Sequence, residues 1–231
     1  MVGENRMKRA TEQFNSDQRK QVEVCVQEAE AKTSCEIVPV VAGSSGRYDR
    51  PEDVVGLWMA TLTAATVWLL SPRQLDDSGN WGGSSIAIGL LTMVVSVVAG
   101  FVVGAIAGSK VGALRRLFTP RAQQFQEVSA RAREVFFDKR VHHTSGSTGL
   151  LIYVSLFEQM AVVLGDQAVV EKLGQGTIDQ LCEKLTSELK SADITTALSQ
   201  VITEAGTKLS DVLPREEGDI NEIADTLILI D

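Results

Sequence analysis

Two apolar stretches of membrane-crossing length lie inside this chain, Val54–Leu70 (VVGLWMATLTAATVWLL) and Ile86–Ala107 (IAIGLLTMVVSVVAGFVVGAIA). Neither holds a Lys, Arg, Asp, Glu or His, and they run for 17 and 22 residues. A helix needs about 20 residues to cross the hydrocarbon core of a bilayer. The connector Ser71–Ser85 carries Pro72, Gly79, Asn80 and the pair Gly82-Gly83, so it turns tightly. A transmembrane hairpin follows, with the lipid bilayer as the partner of both runs. The alternative, a buried helical hairpin of a soluble protein, would call for a polar face, and neither run has one.

The flanking charges orient the hairpin. Arg47 and Arg50 precede the first run, and Lys110, Arg115, Arg116 and Arg121 follow the second, whereas the connector sets Arg73 against Asp76 and Asp77. The excess of positive charge on the flanks places both in the cytoplasm. The start of the chain, MVGENRMKRATEQFNSDQRKQ, is charged and lacks the apolar core of a secretory signal. Val2 stands where N-myristoylation needs glycine. The expected location is the inner membrane of a bacterium, with two spans and both termini cytoplasmic.

The 231 residues leave length for one domain beside the hairpin. Net charge is −8, and from Glu158 to Asp231 there are 15 acidic against 5 basic residues, so the remainder of the chain is +2. An acidic half of this kind excludes the basic footprint of a nucleic-acid binder. Cys25, Cys35 and Cys182 are odd in number and unpaired in spacing, which gives neither a disulfide framework nor a zinc signature.

Around the hairpin the pattern is that of an α/β domain. Residues 16–32 read as a helix with Ser16 as N-cap, and Cys35–Val41 as a short strand whose Pro39 implies an edge position or a bulge. Arg121–Asp138 is an amphipathic helix, and its lead-in Lys110–Phe118 is basic enough to lie at the headgroups. Leu150–Leu156 and Met160–Leu164 read as a strand hairpin. Helices follow at Ala168–Leu173, at Thr177–Lys190 behind a Thr177/Gln180 capping box, and at Ile194–Leu213 behind Asp193. The tail Thr226–Ile230 is either a last strand or a docking segment. The strand near 37–41 needs partners, and those at 150–164 are the nearest. The domain is therefore expected to span residues 1–52 and 110–231, with the hairpin at 53–109 between its halves.

Several blocks resemble the TPM domain family. Thr148–Glu158 (TGLLIYVSLFE) with Val162–Asp166 (VVLGD) is similar to that family's central hairpin. Gly218–Ile228 (GDINEIADTLI) is similar to its closing D-x-N-E-L-x-D segment, and Ser34–Val38 (SCEIV) to its opening strand. The resemblance implies a three-layer α/β/α sandwich with a mixed sheet, here interrupted by the two-helix transmembrane hairpin. It also implies a link to weak phosphatase activity and calcium binding, which are associated with some members. Many members carry a signal peptide and place the domain outside the cytoplasm, a departure from the arrangement expected here.

No familiar catalytic signature appears: no cysteine-phosphatase loop, D-x-D pair, G-x-S-x-G elbow, H-E-x-x-H or Walker loop. Gly146–Gly149 (GSTG) is a short phosphate cradle or an ordinary loop. A metal reading draws on His142 or His143, which point opposite ways on an extended segment, with Glu36, Glu158, Asp166, Asp219, Glu222 and Asp225. Such an oxygen-rich set favours calcium or magnesium over zinc. Glu36 and Glu158, each bordering an apolar strand, either share a cation or face solvent at strand ends. Gly100, Gly104 and Gly108 form a small-residue ridge that either recruits a partner or second copy, or packs the hairpin on itself. Trp58 and Trp68 stand near the two ends of the first run, as interface anchors do. The expected role is a non-catalytic interaction or assembly/maintenance module at the cytoplasmic membrane surface, with a protein partner or homo-oligomer. The alternative is a divalent-metal-dependent phosphatase.

Overall fold

A computed structural model describes residues 9–46, 50–70, 84–110, 119–144, 146–216 and 218–231. The connector turn at 71–83 and the basic lead-in at 111–118 lie outside the described residues. The chain divides into two compact units: one spans Met7–Gly46 and Arg121–Asp231, and the other holds the two apolar helices within Arg47–Pro120.

In the helical unit, α3 (Arg50–Leu70) packs on α4 (Ser84–Lys110). Both helices are long and apolar enough to cross a membrane, over Glu52–Leu70 and Gly89–Ser109. Their outer surfaces are apolar and open, with Leu69 80% and Leu90 64% exposed. The few hydroxyls return to their own helix: Thr63 Oγ1 donates to the Met59 carbonyl at 2.7 Å and Ser96 Oγ to that of Thr92 at 2.7 Å. That satisfies them without water. The glycine ridge serves the hairpin itself. A Cβ on Gly104 would fall 2.7 Å from Met59 Cβ, and one on Gly100 would collide with Thr63 Oγ1.

The other unit begins with α1 (Ala10–Gln13) and α2 (Ser16–Glu30). The cap of α2 is Asn15 rather than Ser16: Asn15 Oδ1 accepts from Gln18 N at 2.8 Å while Gln18 Oε1 accepts from Asn15 N at 3.0 Å. Next come β1 (Glu36–Ala42), α5 (Arg121–Asp138), β2 (Gly149–Ser155) and β3 (Met160–Gly165). The chain then closes with α6 (Gln167–Leu173), α7 (Gln175–Ser191), α8 (Ile194–Val212) and β4 (Ile228–Ile230). Helix α7 starts two residues before Thr177, with Gly174 at its N-cap and no side-chain cap, so the expected capping box does not form. Asp193 caps α8 as expected, accepting from Thr195 N at 2.8 Å and Thr196 N at 3.3 Å. The tail is a strand.

The fold is mixed α/β, with one four-stranded sheet in the order β3-β2-β1-β4. Strands β2 and β4 run parallel to β1, and β3 runs antiparallel to β2. The β1–β2 register pairs Glu36 with Gly149 and Ala42 with Ser155, across the apolar helices in the sequence. Strand β1 is therefore internal, contrary to the edge or bulge expected from Pro39. The ring is tolerated because β4 pairs only from Val40 onward. On that open edge the Ile37 amide, two residues before Pro39, donates to a side chain, Glu30 Oε1, at 2.7 Å.

All seven residues of β1 and of β2 are buried, as in strands covered on both faces. Alternate residues feed two cores. Ile37, Val41, Leu150 and Ile152 join Val22 and Val26 of α2, Leu181 of α7 and Leu198 and Ile202 of α8. Val38, Val40, Leu151 and Tyr153 join Val128, Ala132 and Val135 of α5. Helix α1 is tied to the residue after β4, where Thr11 N and Oγ1 donate to the two Asp231 carboxylate oxygens at 3.0 and 2.6 Å.

Candidate functional site

At the start of β1 the end of α2 and the segment before β4 enclose a cleft of about 90 Å³, whose lining includes Glu30, Cys35, Glu36, Arg215, Asp219 and Asp225. Glu36, 7% exposed, is held by backbone: Oε1 accepts from Glu222 N at 3.1 Å and Oε2 from Ile223 N at 3.4 Å. Asp225 accepts from Asn221 Nδ2, and Arg215 Nε lies 3.8 Å from Asp219 Oδ2.

Burial first, and neighbouring acids second, set the acidity of Glu30 and Glu36. Burial is the main cause that pushes Glu30 up to about 9, with the Asp225 carboxyl and the Glu36 charge acting in the same direction and the Ile37 amide opposing. Burial also raises Glu36, against the two amides it accepts from, with Asp225 and Asp219 adding to the rise. Cys35 is 1% exposed. Burial, then the charges of Glu30, Glu36 and Asp166, push its thiol well up, which keeps it protonated and a poor nucleophile.

Of the residues singled out in the sequence, Glu36, Asp219 and Asp225 come together in this cleft, and Glu222 supplies a backbone amide to it. Asp166 stands near the same end of the sheet, where it caps α6 by accepting from Gln167 N at 2.8 Å. Glu158 does not join them. It follows β2, and β1 separates it from Glu36 by roughly 20 Å at the usual strand rise. Glu158 is 2% exposed, accepts from Ser45 N at 2.9 Å and Gly46 N at 3.3 Å, and bonds Ser155 Oγ. Two buried carboxylates at opposite ends of one strand neither share a cation nor face solvent, so both readings of the Glu36/Glu158 pair are corrected.

His142 and His143 lie in a turn rather than on an extended segment, with ring centroids 6.3 Å apart. His142 rests on Phe137, centroid to centroid 4.8 Å. The Gly146–Gly149 stretch is no phosphate cradle: Ser147 N donates to the Thr144 carbonyl at 3.1 Å and Thr148 N to Thr144 Oγ1 at 2.8 Å. Glu30 escaped the sequence reading. Its signal was positional, an acid in the last turn of a helix with no base there, where the macrodipole disfavours negative charge.

Apart from the protonated Cys35 thiol, the anionic groups of the cleft are carboxyl oxygens, the chemistry of a hard cation. Yet among the described residues no three His, Cys, Asp or Glu side chains stand as a group able to hold one ion. The raised proton affinity of Glu30 and Glu36 fits carboxyls that retain protons in the folded state.

No protein-family model matches the sequence. No curated protein matches it either. Among solved structures, the chain is similar to the NMR structure of BA42 protein from the psychrophilic bacterium Bizionia argentinensis, with a TM-score of 0.55 and 15% identity. The match covers 93% of this chain and 94% of that one. At this identity the likeness is one of fold.

Proposed function

We propose that the chain is a bilayer-anchored, TPM-like protein of the bacterial inner membrane. Its α/β domain, read as a three-layer α/β/α sandwich, acts at the cytoplasmic surface as a non-catalytic interaction module in membrane-protein assembly or maintenance. The observation that carries this reading is the parallel pairing of β1 with β2. Two helices of membrane length stand between those strands in sequence, so the anchor is built into the domain's central strand order and not appended to an end. A high thiol pKa at Cys35 favours binding over nucleophilic chemistry. The test is a topology and extraction experiment on the full chain. A C-terminal fluorescent-protein fusion should fluoresce, a C-terminal alkaline-phosphatase fusion should be inactive, and the protein should resist alkaline carbonate. An active phosphatase fusion or carbonate release overturns the reading.

A second reading is favoured by the convergence of Glu30, Glu36, Asp219 and Asp225 on one cleft. These side chains would hold calcium or magnesium, which would supply charge neutralisation and, in a phosphatase, a grip on phosphate oxygens. Calorimetric titration of the detergent-purified protein with each ion decides it. Saturable heat lost in Asp219→Ala/Asp225→Ala supports a cation site, and absence of heat in both proteins removes it.

A further inference from the structure

We propose that one flank of α5 is a bilayer-contact strip that lies on anionic lipid headgroups. Helix α5 buries Val128, Ala132, Val135 and Phe136 against the sheet, and its two remaining flanks differ in chemistry. At 3.6 residues per turn, Ser129, Arg133 and Phe137 fall within one arc of roughly 80° that holds no acid, and Phe125, which projects beside the buried Phe136 at the edge of that arc, is itself open to solvent. Glu127, Glu134 and Asp138 fall on the opposite flank, where Arg131 Nη1 is bonded to Glu134 Oε2 at 2.6 Å.

On the acid-free flank, Phe125 is 56% and Phe137 59% exposed. Few other large apolar side chains among the described residues of this unit are so open. Solvent-facing aromatic rings interleaved with arginine fit a surface that offers both acyl boundary and negative charge. A protein surface rich in carboxylates would satisfy Arg133 but would leave the rings wet.

The location in the sequence supports the same occupant. Arg121 opens α5 eleven residues after Lys110 closes α4, a helix of membrane length. A short tether to the bilayer converts a weak surface contact into an intramolecular one, so few contacts are needed. This inference rests on the anchoring proposed above, and its test separates the two.

The full chain is placed in nanodiscs of phosphatidylcholine with or without 30% phosphatidylglycerol. The photoreactive residue p-benzoylphenylalanine replaces Phe125, Phe137, Glu127 or, as an anchor control, Val98 of α4. The expected result is lipid adducts at 125 and 137 at least five-fold above those at 127, in anionic discs, falling with added salt. Adducts at Val98 without that flank preference leave the anchoring standing and overturn the strip. Adducts from 125 or 137 to a second protein copy overturn it as well. No lipid adduct at Val98 sinks the anchoring, and the strip with it.

Discussion

Glu30 illustrates how a single side chain ties fold to pH. Its carboxyl oxygen completes the amide of Ile37 at 2.7 Å on the edge that β4 leaves open, yet burial and neighbouring acids hold its pKa at about 9. The folded state therefore binds a proton that the unfolded chain releases above about 4.5, and stability from this group falls as pH rises from there towards 9. Glu30→Gln keeps an acceptor for Ile37 and removes the ionisation. In chelator at pH 8 its Tm should exceed that of the wild type by about 2–4 °C, equivalent to roughly 1 kcal/mol in a chain of this size. At pH 5 thermal scans should show the difference shrinking. A wild-type advantage at pH 8 would mean that Glu30 is ionised and paired.

Elements made chiefly of local signals were legible in the sequence, and those decided by tertiary contacts were not. The stripe of α8 and its Asp193 cap, the amphipathic α5 and the β2–β3 hairpin all declared themselves. The start of α7 did not, because no capping side chain marks it: its N-cap is Gly174, whose carbonyl takes the Ile178 amide. Pro39 misled for a similar reason: its missing N–H matters only on the side it faces, and β4 reaches that side one residue later. In the site, three of the acids were visible as a D-x-x-x-x-x-D pair and a strand-leading Glu. Glu30 and the displacement of Glu158 required knowing which strand ends lie together. Helix packing offers a matched test at this scale. A Cβ on Gly206 of α8 would lie 2.5 Å from Ala29 Cβ of α2, whereas one on Gly176 of α7 meets nothing within 4 Å. Gly206→Ala should cost about 1–3 kcal/mol through overpacking. Gly176→Ala should be neutral or stabilise by about 0.4–1 kcal/mol, both read by chemical denaturation.

For the whole molecule, the division into two units is itself testable. The sheet and both of its cores are made only from residues on either side of the apolar helices. Replacing residues 47–120 by a flexible linker of about ten glycines and serines should therefore give a soluble domain. It should be monodisperse by gel filtration, with a cooperative melt and the mixed α/β circular dichroism of the parent. Aggregation or a non-cooperative melt would show that the apolar helices contribute to the domain's integrity.

The same strand order fixes a timetable. Glu36 pairs with Gly149, 113 positions further along the chain. At about 5–20 residues per second, the ribosome needs roughly 6 to 23 seconds to make that partner. Throughout that interval a seven-residue strand, all of it destined for burial, has no β2 to pair with. The sheet therefore closes only after both apolar helices have been synthesised.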